Sequence, residues 1–269
     1  MGFSKDNQSK SEYAPLTGPV CVKLLACCPT LEDAKGLGIN LNKEPKYFGV
    51  DNETGANTAR LDFYLSAEII DRNGTLLQNV ITGKDDKVET YTFKVAIFLQ
   101  DEPCVASGAG KLPAGTLQYI DGHGKTAFIE DGKATPDWID DATKVPAKKG
   151  EAGLYEFLIA ATKANTSSQA PMIRLETDIS DIIAGDVEEL RSIVSIFSDE
   201  EFYVLLGVND DGYQEVFRGA YAKTKMGVKV LTTKASDKGY PWKCAYTPKL
   251  QYYNPEVETK KADVDVDYV

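Results

Sequence analysis

The sequence predicts a mainly β protein of the α+β kind, a single β-rich domain built as a barrel or sandwich. Three observations carry that expectation. Alternating apolar and polar residues fill several separate stretches. The helical 3.6-residue period is clear in only two places, and Gly, Asn, Asp and Pro punctuate the stretches. The chain has 269 residues, 42% hydrophobic and 10% aromatic, enough to bury a substantial core, which excludes wholesale disorder. No run approaches the roughly 18 consecutive apolar residues that a membrane-spanning helix needs. The segment MGFSKDNQSKSEYAP lacks the apolar run of a secretory signal, and Asp6 stands where myristoylation wants Ser or Thr. A soluble, cytoplasmic protein is expected.

Residues 1–18 are polar and read as a flexible N-terminal arm, and 19–253 as the single β-rich domain. VCVKLLACC at 20–28 reads as a strand stopped by Pro29, and 30–58, rich in Gly, Asn, Lys and Glu, as a long loop. In 59–70, Leu61, Phe63, Leu65, Ala67 and Ile69 share one face, and Asp62, Tyr64, Ser66 and Glu68 the other. Asn73-Gly74 then supplies turn chemistry. In 90–100, Tyr91, Phe93, Val95, Ile97 and Leu99 form an apolar face. Thr92, Lys94, Ala96, Phe98 and Gln100 form a mostly polar one that carries a large aromatic beside a lysine. A strand pair is expected over 116–129, turning at Gly122–Gly124, and 130–150 reads as a surface connection. Two short helices follow: 151–163, with Leu154, Phe157, Leu158 and Ala161 at i, i+3, i+4 and i+7, and 186–197, with Asp186 and Glu189 at capping-box spacing. Strands return at 201–208 and 213–225, joined by a hairpin at Asp210-Asp211-Gly212.

Cysteine and histidine usage narrows the chemistry. Cys21, Cys27, Cys28, Cys104 and Cys244 make an odd count without a CxxC, which reads as buried reduced thiols in a reducing compartment. His123 is the only histidine and lies in the turn Asp121-Gly122-His123-Gly124-Lys125, so a mixed Cys/His zinc site and a histidine-based triad both lack partners. No GxSxG elbow, GxxxxGK[ST] loop or GxGxxG occurs. No catalytic residue, metal or cofactor is expected. Carboxylates are abundant, and none of their pairs stands out for acid–base or metal work.

Charge is distributed unevenly. The chain carries a formal net charge of -11. Yet residues 213–253 hold Arg218, Lys223, Lys225, Lys229, Lys234, Lys238, Lys243 and Lys249 against only Glu215 and Asp237. Interleaved with these cations are Tyr213, Phe217, Tyr221, Tyr240, Trp242, Tyr246, Tyr252 and Tyr253. Single-stranded nucleic acid needs this mixture, cations for phosphates and flat rings for bases. Strand alternation would set Phe217, Gly219, Tyr221, Lys223 and Lys225 on one face. The bland alternative is that the rings are core and the lysines a solvated rim. Residues 254–269 form an acidic C-terminal tail with Asp263, Asp265, Asp267 and Tyr268. Such a tail competes with DNA for a basic groove or docks on basic partners, or else is a solubilising end.

The order of motifs resembles the single-stranded DNA-binding proteins of tailed bacteriophages. The resemblance covers roughly residues 85–256. It rests on TYTFKVAIFL at 90–99, LQYI at 117–120, GKTAF at 124–128 and GLYEFL at 153–158. GDVEELR at 185–191, the strand Phe202–Val208, YQEVF at 213–217 and Lys249–Glu256 complete it. The resemblance implies an OB-fold-like barrel that coats single-stranded DNA in phage replication or recombination, in the host cytoplasm. It also implies an acidic tail that recruits replication or recombination proteins. The zinc-binding subset of that family uses a His/Cys cluster that this chain lacks, and its tail is short and ends Tyr-Val.

On this basis the candidate base-stacking residues are Phe98, Tyr119, Phe128, Phe217, Tyr221, Tyr240 and Trp242. The candidate phosphate contacts are Lys94, Lys125, Arg218, Lys223, Lys225, Lys229 and Lys243. A non-catalytic structural or accessory β-protein of a virion is the main alternative reading. A metal-dependent nuclease using clustered carboxylates is a third.

Overall fold

A computed structural model describes residues 18–68, 90–108, 112–120, 126–130, 133, 145–162, 174–208, 214–224 and 227. The architecture is mainly β with a few short helices. The strands are Gly18–Cys27 (β1), Phe48–Val50 (β2), Asn57–Glu68 (β3), Thr90–Pro103 (β4) and Leu117–Ile120 (β5), then Thr126–Ile129 (β6), Lys148–Lys149 (β7), Phe202–Val208 (β8) and Gln214–Ala222 (β9). The helices are Leu31–Gly36 (α1), Glu151–Ala161 (α2), Ile179–Ala184 (α3) and Glu188–Ile196 (α4). Among the described residues no helix is long and apolar enough to cross a membrane.

Two compact units are present, one drawing its described residues from 1–22, 66–93 and 202–269, the other from 23–65 and 94–201. In the second unit the strand order is β7-β4-β3-β1, with β2 also on β3 and β5-β6 forming a separate hairpin. The core here follows the expected alternation. Leu61, Phe63 and Leu65 of β3 are fully buried, and Val95, Ile97 and Leu99 of β4 are buried. Helix α2 delivers Leu154, Phe157, Leu158 and Ala161 to the same interior, with the Phe63 and Phe157 ring centroids 4.6 Å apart.

The other face of β3 departs from expectation. Asp62 and Tyr64 are also buried, because 30–58 is not the long loop that its composition suggested. Thr30 and Asp33 close a capping box that starts α1, and Ala34 and Ile39 then pack with Ala26 and Tyr64 to cover that face. Burial pushes the Tyr64 phenol up to about 12, the neighbouring Asp62 carboxylate adding to it.

Further along, α3 was not foreseen, although Asp178 caps it by accepting a bond from Ser180 N–H. The capping box expected at Asp186 and Glu189 does not form. Val187 is the N-cap residue, and the Glu189 carboxylate instead accepts the backbone N–H groups of Glu176 and Thr177.

In the first unit β1, β8 and β9 lie in that order, antiparallel. The ladder of β8 and β9 pairs Val204 with Tyr221 but Leu206 with Val216, so residues 217–220 stand opposite Leu205 alone. Directly opposed residues share a face, so this bulge sets Tyr221 on the face of Val216, from which regular alternation would have separated it. The expected common face of Phe217, Gly219 and Tyr221 is therefore broken. Gly219 supplies the positive φ of +72° that the bulge uses.

Two glycines, the N-cap of α2 and one inside it, give opposite expectations. Gly150, at φ +86°, lies so close to Phe98 that an added Cβ would meet the Phe98 carbonyl oxygen at 1.9 Å, whereas Gly153 has open space. Gly150→Ala is expected to cost more than about 2 kcal/mol. Gly153→Ala is expected to stabilise by roughly 0.5–1 kcal/mol through helix propensity. Thermal or urea unfolding of the two variants checks both signs.

Candidate functional site

The polar face of β3 and β4 gathers charge around one buried carboxylate. Asp62 is 4% exposed. Its Oδ1 accepts from Arg60 Nε at 2.9 Å, and its Oδ2 lies 3.3 Å from Lys94 Nζ. Arg60 in turn sets its guanidinium 5.8 Å from the centroid of the Phe98 ring, within cation–π range. Phe98 is 49% exposed although Ile97 and Leu99 beside it are buried, so its exposure belongs to an ordered strand face.

A groove of about 500 Å³ opens beside this cluster, lined by Lys46, Tyr47, Phe48, Gly49, Thr58, Ala59, Arg60, Phe98, Leu99, Gln100, Lys149 and Gly150. Residues 46–50 run along β3 because β2 pairs with it, Phe48 opposite Ala59 and Val50 opposite Asn57. The Tyr47 hydroxyl donates to the Pro29 carbonyl at 2.8 Å. Burial holds that phenol protonated far above its usual range. Lys149 donates to Gln100 Oε1 at 3.2 Å and pairs with Glu102, whose carboxyl that contact holds below its usual range. Lys148 pairs with Asp101 at 2.7 Å, and Ser180 Oγ donates to the same carboxylate.

Of the residues expected from sequence, Lys94 and Phe98 are both exposed on the polar face of β4, Lys94 at Asp62 and Phe98 at the groove. Tyr119 and Phe128 lie on the β5–β6 hairpin. The register pairs Tyr119 with Ala127 and Gln118 with Phe128, so the two rings fall on opposite faces. Phe217 and Arg218 lie in the bulged stretch of β9. Tyr221 is half-buried opposite Val204, and desolvation lowers the pKa of the half-buried Lys223 ammonium. Lys125, Lys225, Lys229, Tyr240, Trp242 and Lys243 lie outside the described residues, as do His123, Cys244 and the tail residues Asp263, Asp265, Asp267 and Tyr268.

Sequence reading missed Lys46, Phe48, Arg60 and Lys149. The triplet Lys46-Tyr47-Phe48 is itself a cation beside two rings, but it sat in a stretch read as loop. Arg60 precedes Asp62 by two residues, the spacing that puts both on one strand face. Cys27 and Cys28 are buried neighbours at the end of β1, and Cys21 and Cys104 are partly exposed. The Cys27 thiol donates a hydrogen bond to Cys28 and is buried, and both push its pKa up and keep it a protonated, apolar group. Among the described residues no group of three or more His, Cys, Asp or Glu side chains is arranged to hold a metal ion.

Comparison of the chain with protein-family models, with curated proteins and with solved structures finds no match in any of the three. The functional reading therefore stands on the residues and their geometry.

At the start of α2, Glu151 is buried and accepts the Lys148 backbone N–H at 2.7 Å. Desolvation raises its carboxyl above the usual range, so the ionised form weighs against folding once the pH exceeds that of an unfolded glutamate. Glu151→Gln keeps an acceptor for the same N–H and removes the buried charge. It is expected to unfold at a higher temperature than the parent at pH 7. The gap should shrink as the pH falls and the parent carboxyl takes up its proton. Melting curves from pH 4 to 8 check the sign.

Proposed function

We propose that this chain is a sequence-independent single-stranded DNA-binding protein. It coats and protects the strand during phage DNA replication or recombination, and it does so without catalysis or a cofactor. The single observation that carries the reading is the half-exposed Phe98 ring on β4, with the Arg60 guanidinium 5.8 Å from its centroid and the Asp62-paired Lys94 four residues away on the same strand. An exposed ring offers a base a stacking surface worth roughly 1–3 kcal/mol, and adjacent cations offer the phosphates a track. The basic and aromatic composition of residues 213–253 supports the same ligand. A mainly β architecture is in keeping with an OB-like barrel, the fold proposed for the chain. The acidic residues of 254–269 are proposed to recruit replication or recombination proteins.

Titration of a fluorescent oligo-dT and of a matched duplex, at low and at moderate salt, tests the proposal. Binding is expected for the single strand in preference to the duplex, with log affinity falling against log salt by about 0.7 for each phosphate neutralised. Absence of binding at low salt, repeated with residues 254–269 removed to exclude self-occlusion, would sink the proposal. Sedimentation with virus particles would then favour a structural virion component.

A further inference from the structure

The groove beside Phe98 has properties that strand coating alone does not require. Its volume of about 500 Å³ falls in the range of pockets that seat one small organic ligand, about 300–1,000 Å³. Two exposed rings border it, Phe98 from β4 and Phe48 from β2. Phe48 is 37% exposed and is held in place: Tyr47 meets it edge-on at 6.3 Å, and a Cβ added to Gly185 would touch its ring at 3.8 Å. Two walls lack side chains, Gly49 on β2 and Gly150 at the start of α2, so backbone rather than side chain meets whatever enters.

The charges around the groove are mixed. Arg60 and Lys94 share Asp62, and Lys149 shares Glu102, with Asp51 also near Lys149. Lys46 has no ion-pair partner among the described residues. An ammonium without an acidic partner among the described residues, beside two partly exposed rings, suits a ligand with one flat apolar part and one anionic part. A nucleotide has that chemistry.

We infer that the groove is a nucleotide-sized subsite of the single-stranded DNA path, with Phe48 and Phe98 taking a base and Lys46 a neighbouring phosphate. The inference rests on the reading of the chain as a single-stranded DNA-binding protein. It adds a defined seat to that reading, built largely from residues outside the basic segment 213–253. A fixed seat gives the bound strand a register on the protein surface, which a diffuse basic patch does not.

The test uses the full chain and fluorescent oligo-dT, with anisotropy read over a series of salt concentrations. Phe98→Ala and Phe48→Ala are each expected to weaken binding roughly 5- to 100-fold without changing the salt slope. Phe98→Tyr, which keeps a stacking face, should bind like the parent. Lys46→Ala should lower the magnitude of the salt slope by about 0.7, the signature of one lost phosphate contact. Melting temperature is followed for every variant. If the parent binds oligo-dT while folded Phe98→Ala and Lys46→Ala keep its affinity and slope, the subsite is wrong and the general reading stands. If the parent itself does not bind, the general reading fails and the subsite with it.

Discussion

A carboxylate taken out of water must be met by charge and hydrogen bonds, and Asp62 sets that requirement in the middle of β3. Arg60 and Lys94 meet it from two neighbouring strands, which fixes both cations on one sheet face. The Asp62 main chain also takes part, its carbonyl accepting the Cys28 N–H at 2.9 Å where β1 ends. Arg60, held in this way, carries its guanidinium to the Phe98 ring. One buried charge thus aligns the end of β1, the polar faces of β3 and β4, and the cation beside the exposed aromatic.

The burial extends along that face from Asp62 to Tyr64. α1 and the residues that follow it close over Tyr64, through Ala34 and Ile39, and Tyr47 is tied to Pro29. The same stretch of chain leads directly into β2, which brings Lys46 and Phe48 to the groove. Covering one part of β3 and building a site at another are consequences of a single excursion of the chain. Helix α2 closes the far side, its Gly150 lying against Phe98 where no other residue would fit.

Much of the fold was legible because strand alternation and helix period are local signals. The apolar faces of β3 and β4 and the buried side of α2 follow the letters residue by residue. The failures have particular causes. α1 is a six-residue helix whose capping box uses Asp33 in place of the usual Glu or Gln, and it is too short to show a period. The bulge at Gly219 is a register event between two strands, so counting along one strand cannot reveal it. Glu189 looked like a helix cap but serves the chain entering α3, a contact across 13 residues. The candidate site was legible only where it lay on a strand already recognised, at Lys94 and Phe98. Lys46, Arg60 and Lys149 joined it through pairing of segments distant in sequence, which composition does not encode.

The most direct measurement is ultraviolet crosslinking of the full chain to oligo-dT, with the crosslinked residues located by mass spectrometry. Crosslinks at Phe98 or Phe48 are expected, alone or together with others in 213–253. Crosslinks that leave both rings untouched while the strand is bound would contradict the assignment of the β3–β4 face as its seat.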